Sequence, residues 1–155
     1  MGFKDNTPWG IMLAIRAKEG QCSMGDFYSV QTEKSVDEAV EALGSVLKKH
    51  QFGVLWDLDI NQKLVEKGIA EEPPFRILEV CSAPRAKMAL STNQMVGYLL
   101  PCKMVVYEDR QSGRTTIGFP QPDALLGMVK DEKLESFAKE VGGILTEAAN
   151  EAARS

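Results

Sequence analysis

Phe75-Arg76-Ile77-Leu78-Glu79-Val80-Cys81-Ser82-Ala83-Pro84, followed by Leu99-Leu100-Pro101-Cys102-Lys103-Met104-Val105-Val106-Tyr107-Glu108, is the stretch that decides the fold. Phe75 to Cys81 is apolar and β-prone. Pro84 stands just beyond it, where a proline suits the first turn of a helix, so a strand is predicted to run into a short helix carrying Ala86, Met88, Ala89 and Leu90. A turn at Thr92-Asn93 ends that helix. Residues 97 to 107 and 114 to 119 are again β-prone, and the polar Glu108-Asp109-Arg110-Gln111-Ser112-Gly113 between them predicts an antiparallel hairpin.

Toward the N-terminus, Phe52, Val54, Trp56, Leu58 and Ile60 alternate with Gly53, Leu55, Asp57 and Asp59. A period of two places the first set on one sheet face, and Asp57 and Asp59 on the solvated one. Asn61 then caps a short helix through Lys67, with Gly68 at its left-handed end and Pro73-Pro74 closing the excursion. Further upstream, Ser35 and Glu38 form a capping box in front of Val36, Ala39, Val40, Leu43, Val46 and Leu47, which fall on one face of a helix from Ser35 to His50. Phe27, Tyr28 and Val30 mark a first core strand over 26 to 33. Residues 1 to 25 read as an N-terminal extension, with a short strand in Gly10 to Ile15 and loop at Gly20, Ser23 and Gly25.

Toward the C-terminus, Pro120 and Pro122 lead into a short helical piece around Asp123 to Val129. A long amphipathic face follows at Leu134, Phe137, Ala138, Val141, Ile144, Leu145 and Ala148. Gly142-Gly143 weakens its middle by roughly 1 kcal/mol per glycine. The elements add up to an α+β domain over 26 to 155, with one mostly antiparallel sheet and helices on one face.

A chain of 155 residues is long enough to bury a core without disulfide or metal staples. A net charge of −4 and a pI near 5.1 argue against a surface made for nucleic acid. No apolar run approaches the roughly 20 residues of a membrane span. Gly10 to Ile15 is too short for a signal peptide, and three cysteines without an export signal are expected to be reduced thiols, so cytoplasmic residence is the expectation.

Several motifs in one order resemble the domain of unknown function 302 family across roughly residues 27 to 122. They are Lys34-Ser35-Val36-Asp37-Glu38-Ala39, Gln51-Phe52-Gly53-Val54-Leu55 with Asp59-Ile60, Phe75 to Cys81, and Leu99 to Glu108. The resemblance implies the β-α-β4-α order of the TATA-binding-protein fold, one copy per chain, and pairing into a homodimer. Where the family commonly has Cys-Asn-Pro, this chain has Cys81-Ser82-Ala83-Pro84. The family carries no settled reaction, so the resemblance supplies a fold and a patch rather than an activity.

Cys81 ends a strand just before a helix N-terminus, where unpaired amides stabilise a thiolate, and Arg85 stands near enough in sequence to add to that. The plain alternative is a small apolar residue filling a corner. Cys102 shares a strand face with Leu100, Met104 and Val106, which points to core packing. If the two strands are neighbours, Cys81, Cys102 and the Met104 thioether make a set suited to a soft metal. Zinc is disfavoured, because there is no Cys-x-x-Cys and His50 sits at a helix end. Trp56 reads as core; Trp56, Tyr98 and Phe119 lining a cavity is the alternative. No phosphate loop or catalytic triad is visible, and no cofactor is assigned.

These readings lead to a non-enzymatic homodimeric module that binds a small ligand or a partner near Cys81 and Cys102, with Arg85 and Met104 as accessory candidates. The alternative is a thiol-dependent redox or soft-metal-handling protein using the same two cysteines. Neither nucleic acid nor membrane is an expected partner.

Overall fold

The computed structural model describes residues 21–155. The strand expected within Gly10–Ile15 lies outside the described residues. Six strands form one sheet in the order β1-β2-β6-β5-β4-β3, and every neighbouring pair is antiparallel. They are β1 (Gln21–Met24), β2 (Phe27–Thr32), β3 (Gly53–Asp59), β4 (Phe75–Cys81), β5 (Cys102–Glu108) and β6 (Thr115–Pro120). The helices are α1 (Val36–Lys49), α2 (Ile60–Glu66), α3 (Ala83–Thr92), α4 (Pro122–Leu126) and α5 (Glu135–Arg154). With β1 set aside this is the expected β-α-β4-α order with extra short helices.

β1 corrects the reading of loop around Ser23. Gly25 at φ +59° is the left-handed residue of a tight turn, with Met24 paired to Phe27, so the glycine marks a hairpin.

The α1 capping box is formed as its sequence demands. Glu38 N–H donates to Ser35 Oγ at 3.2 Å, and Ser35 N–H donates to Glu38 Oε2 at 2.9 Å. The apolar stripe Val36, Ala39, Leu43, Val46 and Leu47 is buried. Beside α1 lies α5, whose inward side is unusually small: Ala138, Ala148, Ala149 and Ala152 are almost fully buried, which lets the two helices come close. Lys49 and Glu151 join them across the surface at 2.7 Å. Gly142 also has a packing reason, since a Cβ there would stand 3.4 Å from both Gln121 Oε1 and Pro122 Cδ at the start of α4.

α1 and α5 cover one sheet face. Tyr28, Val30, Leu78, Val80, Met104, Val106, Ile117 and Phe119 point into that layer and are buried. Two hydrogen bonds fasten α5 to β2: Tyr28 Oη donates to Asn150 Oδ1 at 2.6 Å, and Thr32 Oγ1 donates to the Ala153 carbonyl at 2.9 Å. The alternate residues along the same strands face away from α1 and α5.

β3 departs from its simple alternation. A bulge lies between Val54 and Trp56, so Val54 is opposite Val80 on the helix side while Trp56 is opposite Glu79 on the other. An extra residue in one strand reverses the phase of all that follow. Asp57 therefore comes to the helix side, opposite Leu78, and meets the Arg76 guanidinium, which also bonds Asp37 in the first turn of α1 at 2.6 Å. Asp57 is thus part of an ion network at the edge of the covered face, contrary to the solvated side expected for it.

Two further expectations shift. The short helix is capped by Asp59, whose Oδ1 accepts from Gln62 N–H at 2.9 Å, while Asn61 Oδ1 accepts from Glu72 N–H at 2.8 Å and ties down the return loop. Residues 97 to 101, expected to begin a strand, lie in and after a 3₁₀ turn over Gln94–Tyr98 that is capped by Asn93, and β5 starts only at Cys102.

Candidate functional site

Cys81 and Cys102 come together at one end of the β4–β5 ladder. Cys102 is opposite Val80, one position from Cys81, and both residues border a narrow void of about 10 Å³ that also touches Phe52, Arg85 and Val141. Both thiols are free and half-buried. Their surroundings differ. Cys102 follows the phase of Met104 and faces the helices, where burial, helped by the neighbouring Cys81 and Glu79, pushes its thiol up to about 11. Cys81 has the opposite phase and borders an open groove beside α3, and burial raises its thiol as well.

The expected thiolate stabilisation does not appear in these directions. A thiol near 11 is ionised in only about one molecule in ten thousand at neutral pH. Arg85 has other partners: its guanidinium pairs with Glu140 at 3.1 Å, donates to the His50 carbonyl and to Ser82 Oγ at 3.3 Å each, and lies over the Phe52 ring at 5.7 Å. It clamps the start of α3 to the end of α1 and to α5. Met104 has no solvent exposure and stands opposite Leu78 in the core. Among the described residues no group of three or more His, Cys, Asp or Glu side chains is placed to hold a metal ion.

Trp56, read as core, is 55% exposed, because the bulge carries it to the face opposite α1 and α5. It does not share a cavity with Tyr98 and Phe119: Tyr98 is 86% exposed, and Phe119 is buried against Tyr28 with ring centroids 5.5 Å apart.

The sheet face opposite α1 and α5 is the candidate site that sequence reasoning missed. Register places Phe27, Gly118, Val105, Ile77 and Leu58 there, with Trp56 near one margin. Phe27 is 60% exposed. Phe75 and Tyr107, cross-strand partners, stack at 5.1 Å between centroids and line a cleft of about 600 Å³ with Leu64 of α2 and Arg110. Lys103 pairs with Glu79 at 3.7 Å and Arg114 with Glu33 at 2.9 Å. The one signal for this face was Val54-Leu55-Trp56, three large apolar residues in a row, of which an alternating strand can bury at most two on one side.

No helix among the described residues is long and apolar enough to cross a membrane. The family model described as "Domain of unknown function DUF302" matches residues 28–152. A solved structure, the uncharacterized conserved protein DUF302 from Bacillus stearothermophilus, is 38% identical, with a TM-score of 0.79 over 83% of this chain and 99% of that one. No curated protein matches the chain. The match spans the capping box, both cysteine motifs and the long closing helix, and the chain belongs to the DUF302 family.

Proposed function

We propose that this domain is a non-enzymatic binding module that works as a homodimer and recognises an apolar ligand or partner through the sheet face opposite α1 and α5 and its margin beside Cys81. One observation carries the reading: an antiparallel sheet with both long helices on one side leaves Phe27, Leu55 and Trp56 between 55% and 64% exposed on or beside the other. Large apolar side chains exposed at both margins of one sheet face are candidates for an interaction surface. The face also has a form that suits self-association, since two twisted sheets pack face to face about 10 Å apart with interdigitating side chains.

The reading leaves catalysis aside because the arginine beside both cysteines, and the one at the far end of β4, are engaged in structure. Arg85 is held by Glu140, and Arg76 by Asp57 and Asp37. Nucleic acid suits this face poorly, for Lys103 and Arg114 each have a carboxylate partner and the chain is acidic overall. Light scattering at high micromolar concentration tests the dimer: twice the 17.1 kDa chain mass is expected, with a shift toward the single-chain mass in Trp56→Lys. A monomeric native protein contradicts the homodimer.

A further inference from the structure

The groove beside Cys81 has a chemistry of its own. One of its walls is a single stripe of α3. Ala83, Ala86 and Leu90, with Ala83, Lys87 and Ser91 beside them, recur at three- and four-residue steps, the spacing that aligns side chains on one helix face. The other wall is Leu55, the exposed residue inside the β3 bulge, together with Cys81. The space between them is a shallow depression open to solvent, and the two alanines keep its floor low.

Charge selects the occupant. Among the described residues Lys87 is the one charged residue lining the groove and makes no ion pair, whereas its neighbour Arg85 is bound to Glu140. Gln94 adds an exposed amide at the same rim. Among the described residues no carboxylate lines the groove, in a protein whose net charge is −4. An apolar trough with one uncompensated ammonium complements an apolar body ending in a single negative charge.

We infer that the groove between Leu55 and the Ala83–Leu90 stripe of α3 binds a monocarboxylate with an extended apolar body, its carboxylate at Lys87. The inference rests on the binding-module reading above and names the ligand class for that module. The sheet face opposite α1 and α5 is left to the pairing proposed above.

Cys81 is a reporter in the groove wall. Its alkylation by iodoacetamide is followed by site-resolved mass spectrometry on the full chain, with decanoate, decanol or decyltrimethylammonium present below their micellar concentrations. Decanoate is expected to slow labelling of Cys81 severalfold while the cation leaves it unchanged. Lys87→Glu should weaken protection by decanoate about tenfold, the effect of one lost charge-assisted contact. Lys87 is exposed, so the substitution is not expected to disturb the fold, and circular dichroism checks that it does not. Equal protection by decanol and decanoate, unchanged in Lys87→Glu, overturns the carboxylate assignment and leaves the apolar binding module standing. Labelling unaffected by all three amphiphiles overturns the groove as a ligand site, and if the protein is also a monomer the module reading falls with it.

Discussion

Along β4 and β5, consecutive residues live in different solvents. Leu78, Val80, Met104 and Val106 have no exposure beneath α1 and α5, while their neighbours Ile77, Val105 and Tyr107 remain partly open on the side where neither long helix lies. Both sets are hydrophobic, so composition does not distinguish them. What differs is the layer above. The covered face gains the burial of two amphipathic helices and is held by Tyr28–Asn150 and Thr32–Ala153 hydrogen bonds, whereas the open face holds one stacked aromatic pair and compensated charges. Stability is concentrated on one side of the sheet, and apolar surface remains available for recognition on the other.

The sharpest way to break this comparison is to truncate adjacent residues. Leu78→Ala removes a fully buried side chain and should lower the unfolding free energy by about 3 kcal/mol, while Ile77→Ala should cost less than half as much. Urea denaturation of the two variants at low protein concentration, where assembly contributes least, measures the difference. Equal losses would mean that the open face supports the monomer as strongly as the covered one.

The Arg85 clamp comes next. Replacing Arg85 by Met keeps much of the stem packing but removes its contacts with Glu140, His50 and Ser82. A loss of about 1–2 kcal/mol is expected. If denaturation midpoints do not move, the ion pair and its companions are surface ornament and the end of the sheet near the cysteines is held by packing alone.

A similar or smaller effect distinguishes the two cysteines by pH. The Cys102 thiol is pushed up to about 11 in the fold from an ordinary value of 9.0. The fold therefore prefers the protonated form, so this contribution is intact below about pH 9 and is lost as pH rises toward 11. Stability measured across that window should fall less steeply in Cys102→Val than in the native chain. Parallel curves would show that the Cys102 thiol ionises as freely in the fold as in the unfolded chain.

The smallest change is local and far from either face. Ser35→Ala removes the hydroxyl half of the α1 capping box and should cost about 1 kcal/mol by thermal or urea unfolding. Because Glu38 is held below the usual carboxylate range mainly by its bond to the Ser35 backbone, the cap is strongest above the ordinary carboxylate pKa and fades as acid protonates Glu38. A Ser35→Ala loss that stays constant down to acid pH would separate the cap from that carboxylate.

How much of this could be read from residues alone depended on the range of the interaction. The capping box, Phe75–Cys81 and the glycine turns at Gly68 and Gly113 are local chemistry and were legible. The β3 bulge was not, because Phe52, Val54, Trp56, Leu58 and Ile60 keep a clean period of two on their own; only the pairing with β4 and the pull of Arg76 on Asp57 show where the phase breaks. The same break moved Trp56 from expected core to the open face. Likewise the motif residues Cys81 and Cys102 were identifiable, and their nearness was a fair supposition. Which side of the sheet each faces depends on strand phase, and their raised thiols depend on burial. Lys87 drew no attention because an exposed helical lysine is ordinary until the described residues around it are seen to form an apolar groove with no carboxylate among them.

The central claim is that the sheet face opposite α1 and α5 is the recognition surface, and hydroxyl-radical footprinting as a function of protein concentration tests it most directly. Phe27, Trp56 and Tyr107 should become protected as the chain passes from dilute to high micromolar concentration, while Met128, 70% exposed on the short turn after α4, keeps a constant rate of oxidation. Uniform rates at all four residues, or protection at Met128 with none at Trp56, would contradict the account.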